Sequence, residues 1–182
     1  MAVVEAIQTH YLEADVSSVT FSSLGSYEHL QLRICAKTDR TDASNSDVAL
    51  NFNGDGGSNY SYFRMIGSEA AASVDKQAGY TYIKMSSIQA GAVMSGAVNY
   101  GAICADILDY RNVSMNTSVR GTSGINRIFS SLLGGSRAIV FSGLWVKTGG
   151  YVSAAVTSIV LTPLGGSNFT RGSVFTLYGI QE

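Results

Sequence analysis

Hydrophobic and polar residues alternate with a period of two over much of this chain, the pattern of strands with one buried face. It is plainest in residues 48–67. Val48, Leu50 and Phe52 alternate with Ala49 and Asn51, and Tyr60, Tyr62, Arg64 and Ile66 alternate with Ser61, Phe63, Met65 and Gly67. Between the two runs stands the sequence NGDGGSN at 53–59, whose residues accept positive φ or bond back to their own backbone. The stretch therefore predicts a hairpin. A second clear run, residues 29–36, sets Leu30, Leu32, Ile34 and Ala36 on one face and Gln31, Arg33 and Cys35 on the other. Residues 100–110 place Ile103, Ala105 and Ile107 opposite Ala102, Cys104 and Asp106, and predict a central strand. Further strands are predicted near 16–21, 80–85, 138–146, 156–162 and 173–180. The polar stretch 37–47 reads as an exposed loop, 68–79 as a small-residue segment with room for one short helical turn, 112–126 as polar and irregular, and 127–133 as a weak apolar run. About eight strands separated by turn signals predict an all-β, single-domain antiparallel β-sandwich over residues 16–182.

The first 15 residues have two readings. Val3, Ile7, Tyr11 and Ala14 fall near helical spacing, yet the segment is equally acceptable as extended chain. We read residues 1–15 as an N-terminal arm lying on a neighbouring subunit, or else as the first strand of the domain. Val3, Val4, Ile7, Tyr11 and Leu12 carry more apolar surface than a free terminus exposes, which makes them candidate contacts with another subunit.

Composition narrows the setting. Charged residues make up only 14% of the chain and the net charge is −1, with no cluster of Lys or Arg, so neither nucleic acid nor an anionic membrane is an expected partner. Few lysines are available to blunt exposed strand edges, which makes coverage by an oligomer physically attractive. No apolar run approaches the length of a membrane helix, and the N-terminus carries no secretory pattern. Cys35 and Cys104 are far apart with no CxxC spacing; they are read as buried or half-buried free thiols or as one cross-sheet disulfide.

Candidate chemistry is sparse. Asn51, Asn53 and Asp55, followed by Gly56, imitate the start of a calcium loop, but Tyr62 stands where the bidentate Glu is required, so no metal is expected. His10 and His29 sit in no nameable catalytic motif, and Asp106 and Asp109, three apart on a strand, point to opposite faces. One of these aspartates with Arg111 is expected to close a strand end. The expectation is a protein without catalytic residues or cofactor. Asn59, Asn112, Asn116 and Asn168 head Asn-x-Ser/Thr sequons of a kind that chance supplies in a Ser/Thr-rich chain. Tyr27, Tyr60, Tyr62, Tyr80, Tyr82 and Trp145 are read as core or subunit-contact aromatics, with stacking platforms for a sugar as the rival reading. Asp39, Arg40, Asp42, Asn53, Asp55 and Asn59 are the candidate exposed binding-loop residues.

Six motifs carry a family likeness: VTFSSLGSYEHLQLR at 19–33, NFNGDGGSNYSYFRMIG at 51–67, ADILDYRN at 105–112, FSGLWV at 141–146, SIVLTP at 158–163 and SVFTLYGI at 173–180. With them the chain resembles phage-encoded β-sandwich structural proteins of the virion. Gly25 stands where that pattern has Pro in the first turn, and residues 1–15 lie outside the likeness. The resemblance implies a jelly-roll-like fold and a place on the virion, with the outer surface of the head favoured over the tail. It implies a capsid decoration or cement protein, with the major capsid protein and copies of itself in a homotrimer as partners. The alternative is a tail-associated receptor-binding module that recognises a host surface glycan.

Overall fold

The computed structural model describes residues 3–91, 99–126, 136–146 and 154–181. These residues are all-β. No helix occurs among them, and they form twelve strands where the sequence predicts about eight. In chain order the strands are β1 (Val3–Tyr11), β2 (Val19–Ser22), β3 (His29–Thr38), β4 (Asn45–Phe52), β5 (Tyr60–Ser68) and β6 (Ala72–Tyr80). The second half contributes β7 (Ile83–Ala90), β8 (Gly101–Leu108), β9 (Thr117–Ile125), β10 (Arg137–Trp145), β11 (Ser158–Pro163) and β12 (Val174–Gln181).

The strands form one continuous sheet that turns a corner. One run of eight, β1-β12-β3-β8-β9-β10-β5-β6, and one run of four, β2-β11-β4-β7, meet where the end of β3 leaves β8 and is taken up by β7. That junction, Lys37 with Gln89 and Thr38 with Ala90, is parallel, whereas the other ladders are antiparallel, so the sheet is mixed rather than purely antiparallel. Gly101 opens β8 at this corner, and a Cβ there would collide with the backbone of Ile88.

The core lies where the inner faces of the two runs meet. Leu30, Ile107, Phe141 and Phe175 from the longer run join Phe21, Leu50, Ile83 and Ile159 from the shorter one in a single buried cluster. β7 is buried along nearly its whole length and packs across β10, β9 and β5. Its approach to β10 is close because Gly143 has no side chain: a Cβ at that position would overlap the Ile83 side chain.

Most chain-neighbouring strands are not sheet neighbours. The chain passes between the two runs at β1–β2, β2–β3, β3–β4, β4–β5, β6–β7, β7–β8, β10–β11 and β11–β12; only β5–β6, β8–β9 and β9–β10 pair in succession. The hairpin predicted at 48–67 is thereby corrected. β4 pairs with β11 and β7, while β5 pairs with β10 and β6. Asn53 and Gly54 do adopt positive φ, and the Asp55 amide donates to the Phe52 carbonyl at 2.9 Å, so a tight turn forms. The chain then crosses to the other run instead of folding back beside β4. Alternation specifies which residues face inward; it carries no information about the neighbour on the ladder.

Three further expectations change. Residues 72–80 form the edge strand β6 rather than a helical turn, with Ala72, Val74 and Lys76 facing out along β5. The polar segment 112–126 contains β9, a central strand whose Gly121 lies so close to β8 and Phe141 that a Cβ would overlap the Cys104 carbonyl. The strand predicted at 80–85 breaks at 81–82, between β6 and β7. The apolar run at 127–133 lies outside the described residues. Residues 3–11 are the extended edge strand β1, paired antiparallel with β12 across a register shift between Ala6 and Gln8. Within the candidate contact set Leu12 is buried and Ile7 half-buried against the core, while Val3, Val4 and Tyr11 are exposed.

The Gly143–Ile83 approach yields a measurable consequence. Gly143→Ala is expected to lower stability by about 1–3 kcal/mol through overpacking. Combined with Ile83→Ala it should cost less than the sum of the two single changes, which chemical denaturation of the four proteins measures; strict additivity would mean the layers do not meet there.

Candidate functional site

Among the described residues, the densest arrangement of charge is internal. Arg64 on β5 is only 3% exposed. Its guanidinium binds Asp47 of β4 through Nη1 and Nη2 at 3.0 and 3.4 Å, and Asp75 of β6 through Nε at 3.1 Å and through Nη2. Lys84 of β7 reaches Asp75 at 3.2 Å and Asp47 at 3.7 Å, and the Ser87 hydroxyl donates to Asp47 at 2.5 Å. Two carboxylates and two cations thus balance, and they tie β4 and β7 of the shorter run to β5 and β6 of the longer. Burial acts to raise the Asp47 carboxyl, but the Arg64 charge and its hydrogen bonds, with Ser87 and Lys84, more than offset it and hold the group below the ordinary carboxylate range. Asp75 is lowered in the same way: burial opposes, and Arg64 and Lys84 prevail.

Tyrosines cap this network. Tyr62 and Tyr80 meet edge to face at 5.8 Å, as do Tyr80 and Tyr82 at 4.7 Å, and the Lys84 ammonium lies 5.6 Å from the Tyr62 ring centre. Burial and the Tyr80 hydroxyl raise the Tyr82 pKa. Of the six aromatics singled out in the sequence, Tyr60, Tyr62 and Trp145 are buried, whereas Tyr27, Tyr80 and Tyr82 are half-buried. Outside Tyr62, a shallow depression is bordered by Phe63, Lys76, Gln77 and Ala78.

The candidate loop residues fall into two groups at opposite ends of β4. Before the strand, Asp39 accepts hydrogen bonds from the Asn168 amide at 2.7 Å and side chain at 2.8 Å, and Arg40 pairs with the exposed Asp42 at 2.7 Å. After it, the Asn53 carbonyl oxygen accepts from the backbone of Thr157 and Ser158, while its amide donates to the Ala155 carbonyl. Asp55 accepts from the Gly57 amide at 2.8 Å, from Asn59 at 2.9 Å and from the Trp145 indole at 2.8 Å. The Tyr60 hydroxyl lies against the Asp55 and Phe52 carbonyls, and burial pushes its pKa up to about 12. These side chains brace the crossing between the two runs.

Asp106 is held by Gln31 at 2.8 Å and Arg120 at 3.6 Å. Asp109 closes the end of β8 beside His29, whose Nδ1 accepts from the Asp109 amide at 3.0 Å, so His29 takes the part expected of Arg111. Glu28, His29 and Asp109 bring three potential ligand atoms within 4.8 Å of one another, the one metal-compatible grouping among the described residues. Cys35 and Cys104 are free, and both are exposed rather than buried.

Among the described residues, the outer face of the eight-strand run carries no covering element. Cross-strand register lines up Gly67, Ala138, Gly124, Ala102, Cys35 and Val174 in one row, with Ala72 before it and Tyr11 after it, and no charge anywhere along it. The next row begins Val74, Met65, Val140, Thr122, Cys104, and the first three of these are each 57% exposed. That row continues from Cys104 to Arg33, stacked 4.7 Å from the Tyr178 ring centre, and the row beyond carries Lys76 and the linked Arg120, Asp106 and Gln31. Neither this face nor the Arg64 network is assembled from a local motif, so sequence reading misses both; the alternating small and apolar positions at 65, 67, 138, 140, 102 and 104 were the available signal. No family model, curated protein or solved structure matches the chain.

Two outcomes follow for the internal network. Arg64→Met leaves two half-buried carboxylates without their main counter-charge and is expected to cost about 3–5 kcal/mol in denaturant unfolding. The lowered pKa of Asp47 and Asp75 means their ionised forms contribute stability that is complete above the unfolded carboxylate value near ~4 and disappears as pH falls through the lower folded values. Melting temperature should therefore be flat from neutral pH down to that value and fall steeply below it. In Asp47→Asn the low-pH slope should be shallower, and an unchanged slope would remove Asp47 from the account.

Proposed function

We propose that the protein is a structural component of a phage virion, a capsid decoration or cement protein in which the two strand runs make a jelly-roll-like β-sandwich. The observation that carries this reading is the broad outer sheet face, with one row uncharged across eight strands and a neighbouring row bearing Val74, Met65 and Val140 more than half exposed. Isolated exposed apolar residues are ordinary, whereas a contiguous apolar face marks a contact surface. The edges add to it. Among the described residues β1, β2 and β6 each pair on one side only, and β1 presents Val3 and Val4 beside its open edge. The crossings between layers support the jelly-roll part, and the motif resemblance supplies the virion setting. Its partners on this reading are the major capsid protein and further copies of itself, three in number by the resemblance.

One observation favours the second reading, a tail-associated carbohydrate-binding module: the depression outside Tyr62 combines the 41% exposed Phe63 ring with the donors Lys76 and Gln77, the chemistry that stacks on and hydrogen-bonds a sugar.

Heads of the encoding phage assembled without this gene provide the test. Purified protein should co-sediment with them and raise the temperature at which they release DNA. Failure to bind heads, together with glycan-array binding that Phe63→Ala abolishes, would replace the first reading by the second.

A further inference from the structure

The two cysteines of the chain are placed against the habit of the residue. Cysteine is among the most buried residue types, yet Cys35 and Cys104 are both free and both exposed. Far apart in sequence, they arrive on neighbouring strands because β3 pairs antiparallel with β8. Arg33 is in register with Cys104, and Cys35 with Ala102, so the two thiols share the outer face one diagonal step apart. The other two corners of that square leave the space between the sulfurs clear. Ala102 offers only a methyl group, and the Arg33 side chain is turned toward Gln31, at 2.8 Å, and over the Tyr178 ring, at 4.7 Å. The pair also lies at the last rungs of its ladder. Past Ala36, opposite Gly101, β3 leaves β8, and Lys37 pairs with Gln89 of β7.

We propose that Cys35 and Cys104 form a redox modification site, which a low-molecular-weight disulfide such as oxidised glutathione closes into a reversible cross-strand disulfide. One cysteine thiolate attacks the small disulfide, forming a mixed disulfide and releasing one reduced glutathione. The other thiolate attacks the protein sulfur of that mixed bond, so the Cys35–Cys104 bond forms and the second glutathione leaves. Both cysteine protons end on the released thiols, and the two electrons lost by the cysteines reduce the glutathione disulfide. Distance decides what kind of bond results. Diagonal neighbours on an antiparallel pair lie about 7–8 Å apart, whereas disulfides favour Cα separations of about 4.4–6.8 Å. Closure therefore draws β3 and β8 together by about an ångström, which the end of a ladder allows more readily than its middle. A bond made under that strain, on an exposed face, is readily reduced again. Closed, it rings residues 35–104, which hold β4 to β7 and the Arg64 network, and so restricts the unfolded chain more than a local bridge would. The inference concerns the isolated chain and does not rest on the virion reading.

Mass spectrometry of the full chain after incubation with oxidised glutathione, with acid quenching and peptide mapping, tests it. Wild-type protein should lose two hydrogens and yield a linked Cys35–Cys104 peptide, with a single glutathione adduct seen only in passing. Cys35→Ser and Cys104→Ser each exchange one exposed sulfur for oxygen, and each variant should take up one glutathione and hold it. The closed wild-type form should melt about 5–15 °C above the open one, and excess reduced glutathione should return it to the open form. Wild-type thiols that stay unreacted, carry two stable glutathiones or link only between chains overturn the inference. A closed bond that resists excess reduced glutathione overturns its reversibility.

Discussion

The fold depends on an ion network at the centre of the connection between its two strand runs. Arg64 is almost wholly buried and must be neutralised where it stands; Asp47 and Asp75 do this from strands on either side of the divide. A buried charge of this kind is weak evidence for net stability, because desolvation offsets much of the attraction, but removing one member leaves an uncompensated charge. The network therefore acts chiefly as a specifier. β5 and β6 can approach β4 and β7 in only one register that presents both carboxylates to the guanidinium fork and leaves Lys84 between them. This matters because eight connections pass between the runs, and alternation alone would tolerate several pairings of such strands.

The same distinction separates what is legible in the sequence from what is not. Strand positions with strong alternation, such as 29–36, 138–146 and 173–180, correspond to β3, β10 and β12, and Leu30, Leu32, Ile34 and Ala36 are buried as a set. β9 escapes notice because its inward positions include Gly121 and Ser123: close packing against β8 and Phe141 excludes a side chain, and Ser123 hydrogen-bonds Ser86 of β7. β6 escapes because an edge strand open to solvent needs little hydrophobicity. The residues at 53–59 do carry turn chemistry, and the turn is there. What they do not carry is the destination of the chain, which is set by distant partners: Ala155, Thr157 and Ser158 for Asn53, and Trp145 for Asp55. The Arg64 network has the same character, its members spread over positions 47 to 84 with no spacing that marks them as a unit.

These arrangements leave the two faces of the long run with opposite tasks. Its inner face is filled by Phe141, Trp145, Phe175 and their neighbours and is closed by the shorter run. Its outer face has small residues along β8 and β9 and larger apolar ones toward β6, bordered by Lys76 and by the linked Arg120, Asp106 and Gln31. Many of the loop groups that would ordinarily suggest ligand recognition, Asp39, Asn53 and Asp55 among them, are engaged in bracing the crossings. In the proposed function recognition belongs to a sheet face rather than to loops, a surface whose shape is fixed by the ladder beneath it and needs little ordering when a partner arrives.

The central claim is that this face works as a contact surface on an assembled particle. Cryo-electron microscopy of the intact virion tests it most directly. The account expects density for this chain on the head, with the row from Gly67 to Val174 and the Val74–Met65–Val140 ridge covered by another protein chain. A virion in which the chain sits with that face open to solvent, or from which it is absent, would contradict it.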